Sequence, residues 1–222
     1  MPCAAQGKRA PNRVQIKMTQ THASAMPYFA PGTYIGLFGG SFDPPHAGHR
    51  LVSLSVMRTL GLDYVCWLVS PQNPLKNHTP NDMTERLAAC QRMASHPRLM
   101  VSDVETRIGT QYAIDTVRQL KARHPEVHFT WLMGSDNFVN LQQWKQWQQF
   151  MQEVPVVIYP RSGSTLKVTN SQAGQVFARQ RVATSQATDF KHVEAPAWIM
   201  LDGVRSDLSS SALRQRGANK QD

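Results

Sequence analysis

The chain has 222 residues, 41% of them hydrophobic and 18% charged, an ordinary globular balance with apolar residues enough for one sizeable core. The formal net charge is +9, spread along the sequence without a run of five or six basic residues, which argues against a nucleic-acid tail and reads as a solvated basic surface, with an anionic membrane or small polyanionic substrates as the alternatives. Cys3, Cys66 and Cys90 are too few and too scattered for a disulfide framework or a zinc site, and no apolar run reaches the roughly 18 residues of a membrane span, so the reading is a cytoplasmic protein with no membrane partner.

Residues 1–32 carry Lys8, Arg9, Arg13 and Lys17 and no acidic residue, and they read as a disordered extension. Met18 and Met26 are alternative starts. From Tyr34 short, nearly continuous apolar runs appear: YIGLFG, YVCWLVS at 64–70, RLMVSD at 98–103, VHFTWLMG at 127–134, VPVVIYP at 154–160 and AWIML at 197–201. Such runs predict strands covered on both faces, as in a parallel sheet. Between them the sequence predicts helices over 47–60, over 82–95 with Asn81 as N-cap, and over 112–123 with a stripe of Ile114, Val117 and Leu120. Alternating strand and helix predicts an α/β fold, a doubly wound Rossmann-like parallel sheet with helices on both faces. Residues 161–195 are polar and read as an irregular excursion.

The stretch GGSFDPPHAGH, residues 39–49, joins the first strand to the first helix. Gly39 and Gly40 suit unusual dihedrals and close approach of a ligand to the backbone. Ser41 and Phe42 offer amides, and Asp43-Pro44-Pro45 shapes the turn. His46 and His49, three apart at a helix start, share one face near the positive end of the helix dipole. Imidazoles there suit phosphate oxygens. A zinc site is not expected, because two histidines at that spacing need a third ligand and none is evident.

The stretch resembles the [ST]-F-D-P-x-H-x-G-H signature of the nucleotidyltransferase superfamily. LSSSALRQR at 208–216 resembles the family's I-S-S-T-x-I-R segment, which implies that Ser210, Ser211 and Arg214 hold the ATP β- and γ-phosphates. SPQNPLK at 70–76 implies a phosphate-contacting Lys76, although the P-P-H-K of many relatives is absent. QYAIDTV at 111–117 resembles the S-Y-T-I-D-T-L of nicotinate-nucleotide adenylyltransferases, so Tyr112, Ala113 and Thr116 fall in the segment that receives the nicotinate carboxylate. WLMGSDNF at 131–138 resembles W-I-M-G-A-D-N-F, with Gly134 admitting a nucleotide and Asp136 accepting from ribose or adenine. LQQWKQW resembles L-x-x-W, with Trp144 stacking on the pyridine ring and Trp147 in packing.

Together the matches span residues 34–216, within a nucleotidyltransferase domain at 33–218. The resemblance implies transfer of the adenylyl group of ATP to nicotinate mononucleotide, giving deamido-NAD and pyrophosphate. It places His46 and His49 on the ATP phosphates, Gly40, Ser41 and Phe42 as backbone contacts, and Arg214 on the outgoing pyrophosphate. Mg²⁺ is expected to ride mainly on the ATP phosphates rather than in a carboxylate cage. Nicotinamide mononucleotide is the rival acceptor. A phosphopantetheine or glycerol-phosphate enzyme, and a non-catalytic nucleotide- or RNA-binding relative, fit the residues less well. Oligomeric state stays open.

Overall fold

The computed structural model of the protein describes residues 29–71, 81–160 and 165–201. Lys76, Ser210, Ser211 and Arg214 lie outside the described residues. The chain runs β1 (Tyr34–Gly40), α1 (Ala47–Leu60), β2 (Tyr64–Val69), α2 (Met83–Met93), β3 (Leu99–Ser102), α3 (Val104–Arg107), α4 (Ala113–Arg123), β4 (His128–Gly134) and α5 (Ser135–Val139). It continues through α6 (Trp147–Glu153), β5 (Val156–Tyr159), α7 (Thr165–Asn170), α8 (Gln172–Val176), β6 (Arg181–Val182) and β7 (Trp198–Met200). The strands form one sheet in the order β3-β2-β1-β4-β5-β7-β6, and every pairing is parallel.

A parallel sheet is covered on both faces, and the strand side chains divide accordingly. Ile35, Leu37, Cys66, Leu68, Trp131, Met133, Val156 and Ile158 enter one core, which also takes the α4 stripe of Ile114, Val117 and Leu120. Phe38, Val65, Trp67, Leu132, Val157 and Ile199 enter the other, against Val52, Val56, Met57 and Leu60 of α1. Leu51 stands outside that stripe and is exposed. Two helix ends follow ordinary capping physics. Gly61 closes α1 in the left-handed region at φ 65° and donates to the Met57 carbonyl. Asp82, and not the expected Asn81, caps α2, accepting from the Thr84 and Glu85 amides.

Two further expectations change. Phe29, inside the segment read as extension, is buried and packs on Tyr64, and Gly32 N–H donates to the Glu126 carbonyl at 2.8 Å. The excursion is not irregular over its described part. Residues 165–192 form α7, α8, two stretches of 3-10 helix and β6, which pairs through Arg181 with Trp198 and through Val182 with Ile199. Each element is so short that it buries at most two apolar side chains, such as Val168, Ala173 and Phe190, and a pattern of that length has no readable period.

The chain visits β1, β2 and β3 in one direction across the sheet and β4, β5 and β7 in the other. The reversal falls between β1 and β4, which lie side by side with Phe38 opposite Leu132. Gly39, with no side chain, leaves room on β1 for a side chain of β4. A Cβ there would come within 2.7 Å of Trp131 Cζ2, so the indole of β4 occupies the space beside β1. Gly39→Ala is expected to cost about 1–3 kcal/mol through overpacking. Urea denaturation checks this, and Trp131→Leu in the same chain should recover part of the loss.

Candidate active site

The carboxyl ends of β1 and β4 open at the reversal of strand order, the position where open α/β sheets bind ligands. At the end of β1 the unusual backbone angle falls on Phe42, at φ 47°, and not on Gly39 or Gly40. A non-glycine residue there costs roughly 1–2 kcal/mol. Packing offsets that cost: the buried Phe42 ring stacks on Trp67 at 5.0 Å and 6° and meets Phe38 edge-on at 5.7 Å. Phe42 thus anchors the turn and leaves its backbone at the site.

His46 is the N-cap residue of α1 and His49 lies one turn into the helix. Their rings stack with centroids 3.7 Å apart. His46 N–H donates to His49 Nδ1 at 3.1 Å. An imidazole that accepts at Nδ1 carries its proton on Nε2, so the bond fixes the tautomer and makes His49 Nε2 a donor. Phe38, Phe42 and Trp67 meet the His49 ring edge-on at 4.9–5.8 Å and hold its plane. Below it, Trp67 Nε1 donates to Ser53 Oγ, which donates to the His49 carbonyl, each at 2.8 Å.

Asp43 shapes the turn, as expected from its place before two prolines. It is buried and accepts from Asn81 Nδ2 at 2.9 Å and from Asn81 N–H at 3.3 Å. The residue that sequence reasoning missed is Arg86 on α2. It is 3% exposed, and its guanidinium donates to the carbonyls of Ser41 and Ser70 at 2.9 and 2.8 Å, of Asn81 at 2.8 Å and of Pro71 at 3.3 Å. Burial pulls its pKa down and the Asp43 charge opposes that. The one signal in the sequence is its position four residues before Cys90, on the buried face of α2.

At the end of β4, Gly134 starts α5 and Asp136 is exposed in its first turn. Asp136 Oδ1 and the Tyr159 hydroxyl take the space where a side chain on Gly134 would stand. The third wall is the start of α4, where Tyr112 is the N-cap residue. Lys145 Nζ bonds Asp115 Oδ2 at 3.1 Å and lies 4.6 Å above the Tyr112 ring, tying the segment that carries Trp144 to this helix start. Trp144 is half-buried, edge-on to Trp131 at 6.3 Å, and Trp147 packs on Phe177. Ala113 is partly buried in the first turn. Thr116, expected as a substrate contact, is instead wholly buried, with its hydroxyl on Glu105, Thr110 and the Tyr112 carbonyl. It sits beneath the helix start because α4 points this face at the core.

The structure therefore gathers Gly39, Gly40, Ser41, Phe42, His46, His49, Gly134 and Asp136 around the ends of β1 and β4, with Tyr112, Ala113 and Trp144 on the α4 side. A family model described as cytidylyltransferase-like matches residues 37–216. The chain is 45% identical over 183 residues to a probable nicotinate-nucleotide adenylyltransferase of Cereibacter sphaeroides, covering 82% of this chain and 97% of that one. A protein of the same description from a Caulobacter species is 47% identical over 183 residues, with the same coverage. The chain belongs to the nicotinate-nucleotide adenylyltransferase family. Its fold also matches a solved Plasmodium falciparum nicotinic acid mononucleotide adenylyltransferase complexed with NaAD, with TM-score 0.61 at 15% identity over 82% of this chain and 83% of that one.

Two features bear on how a member of this family works here. Burial pushes the Cys66 and Cys90 thiols up to about 12, so neither supplies a thiolate nucleophile. Among the described residues no group of three or more His, Cys, Asp or Glu side chains is placed to hold a metal ion, and no helix of the described residues is long and apolar enough to cross a membrane.

Arg86→Ala is expected to lose about 3–5 kcal/mol in a chemical melt, because four carbonyls lose their donor and the buried Asp43 carboxylate loses the opposing charge. Arg86→Lys should recover only part, since an ammonium lacks the planar fork. Glu105 gives a pH test. Burial raises its carboxyl from 4.5 to about 7. A raised pKa in the folded state contributes stability below about pH 4.5 that is lost as pH rises through 7. The gap, on the order of 3 kcal/mol, should disappear in Glu105→Gln, so the variant gains on the natural protein between pH 5 and 8 in paired melts.

Proposed function

We propose that this chain transfers the adenylyl group of ATP to nicotinate mononucleotide, giving deamido-NAD and pyrophosphate. The observation that carries the reading is the stacked imidazole pair at the start of α1, with His49 Nε2 fixed as a donor at the point where strand order reverses.

A phosphate oxygen of the mononucleotide attacks the α-phosphorus of ATP in line. The bond from that phosphorus to the bridging oxygen breaks, and pyrophosphate leaves. No covalent enzyme intermediate is formed, so the work of the protein is positioning and charge stabilisation. His49 donates to a non-bridging oxygen of the α- or β-phosphate, and His46 stands beside it. Backbone amides at Gly40, Ser41 and Phe42 approach the triphosphate with Gly39, and the helix dipole of α1 favours the same charge. Lys76, Ser210, Ser211 and Arg214 complete the phosphate contacts in this reading, on the strength of the sequence motifs. Gly134 and Asp136 take the nucleoside. Mg²⁺ enters with ATP on its phosphate oxygens and waters. The net charge of +9 suits two anionic substrates in a cytoplasmic enzyme with no nucleic-acid partner.

The acceptor half rests on the start of α4. The first amides of a helix lack intrahelical acceptors and favour an anion. The carboxylate of nicotinate meets that need; the neutral amide of nicotinamide meets it less well. Trp144 offers a ring face to the pyridine.

His49→Ala is expected to lower kcat about 100- to 1000-fold in a pyrophosphate-release assay while the thermal midpoint falls by only a few degrees. Parallel losses of activity and folding would remove the phosphate role. Turnover with nicotinate mononucleotide should exceed that with nicotinamide mononucleotide about tenfold or more in kcat/KM, which is 1.4 kcal/mol of discrimination.

A further inference from the structure

Glu105 is 5% exposed, and neither the cores nor the phosphate chemistry accounts for a carboxyl at its position. It lies on α3, just ahead of the turn that delivers the chain to α4. Its backbone and its side chain both reach forward. The Glu105 carbonyl accepts from the Thr110 amide at 2.9 Å, closing residues 105–110 into a loop whose left-handed corner is Gly109 at φ 67°. Its Oε1 accepts from Thr116 Oγ1 at 3.1 Å. Thr110 Oγ1 lies 2.9 Å from the same Thr116 oxygen. Thr110 and Thr116 are 5% and 0% exposed, so water does not compete for these groups.

The Thr116 hydroxyl has a single hydrogen and two acceptors fixed in reach, Glu105 Oε1 and the Tyr112 carbonyl at 3.2 Å. The Tyr112 carbonyl already accepts from the Asp115 and Thr116 amides at 3.0 and 3.1 Å. With the Tyr112 carbonyl already shared by two amides, the carboxyl oxygen takes the hydrogen. Thr110 then donates to Thr116, and a directed chain runs from Thr110 through Thr116 to Glu105. Remove the carboxyl, and the Thr116 hydroxyl turns back onto the Tyr112 carbonyl. That bond from a threonine to the carbonyl four residues earlier bends helices, and here the bend falls on the first turn.

We propose that Glu105 is a positioning residue for the acceptor pocket: through Thr116 and Thr110 it holds the turn 110–113, and with it the first amides of α4, in the orientation that receives the pyridine carboxylate. The inference rests on the nicotinate mononucleotide reading. Glu105 touches no substrate. It acts on acceptor binding and leaves the ATP half, at the ends of β1 and β4, unchanged.

The test is steady-state kinetics of the full chain with ATP and nicotinate mononucleotide varied in turn. Glu105→Ala should raise KM for the mononucleotide about tenfold, the scale of one buried hydrogen bond, and move KM for ATP by less than about twofold. Glu105→Gln keeps an oxygen acceptor and should restore most of that loss. Thr116→Val keeps the shape and deletes the hydroxyl; it should reproduce the alanine phenotype, and the double variant should be no worse than either single one. If Glu105→Ala folds poorly, Thr116→Val carries the same comparison. Equal shifts in both KM values, unchanged kinetics, or no rescue by glutamine would overturn the proposal while the function stands. A natural protein that turns over some other acceptor and not nicotinate mononucleotide would remove both.

Discussion

Arg86 is taken out of water at the start of α2, and a desolvated guanidinium must satisfy its donors inside the protein. It does so with carbonyls from three places: Ser41 in the turn after β1, Ser70 and Pro71 after β2, and Asn81 ahead of its own helix. Those segments share nothing in sequence, and each is a loop that would otherwise be free to move. One side chain therefore fixes the rim of the sheet on which the proposed phosphate site stands. Asp43 completes the arrangement from the other side, holding Asn81 while its charge offsets that of Arg86.

On that fixed rim the imidazoles need little further help. His49 is oriented by three aromatic rings and by the His46 amide, so its donor is in place before any substrate arrives. Preorganisation of this kind matters because a phosphoryl transition state is stabilised by dipoles that do not have to turn during the reaction. The site is placed by topology as much as by residues. Strand order reverses between β1 and β4, so the helices that follow them diverge and leave a crevice at their carboxyl ends.

The proposed acceptor side is joined to the proposed phosphate side through the sheet itself. Trp131 on β4 fills the space left by Gly39 on β1 and meets Trp144 edge-on, while Phe150 packs against both indoles. Lys145 then links this segment to Asp115 and Tyr112 on α4. A glycine in the first motif is thus required by an indole whose other neighbour is the ring expected to carry the pyridine. The first motif and the aromatic segment are parts of one packed unit, though they lie about a hundred residues apart.

The sequence alone determined the class of fold and the family. Short, continuous apolar runs with turn residues between them predict strands covered on both faces, and all six predicted runs are strands of the sheet. A turn as dense in constraints as GGSFDPPHAGH has few uses, so its two histidines stand out in the sequence as candidates without coordinates. Tertiary structure decided the rest. It moved the unusual backbone angle from Gly39 and Gly40 to Phe42, because a buried ring can hold a strained turn. It moved the cap of α2 from Asn81 to Asp82, because Asn81 is engaged by Asp43. It turned Thr116 from a surface contact into a buried support, and it revealed Arg86 and Glu105. Those two charged residues look like solvated side chains on any helix until the acceptors around them, from distant parts of the chain, are brought within hydrogen-bond reach, which is information that local sequence does not carry.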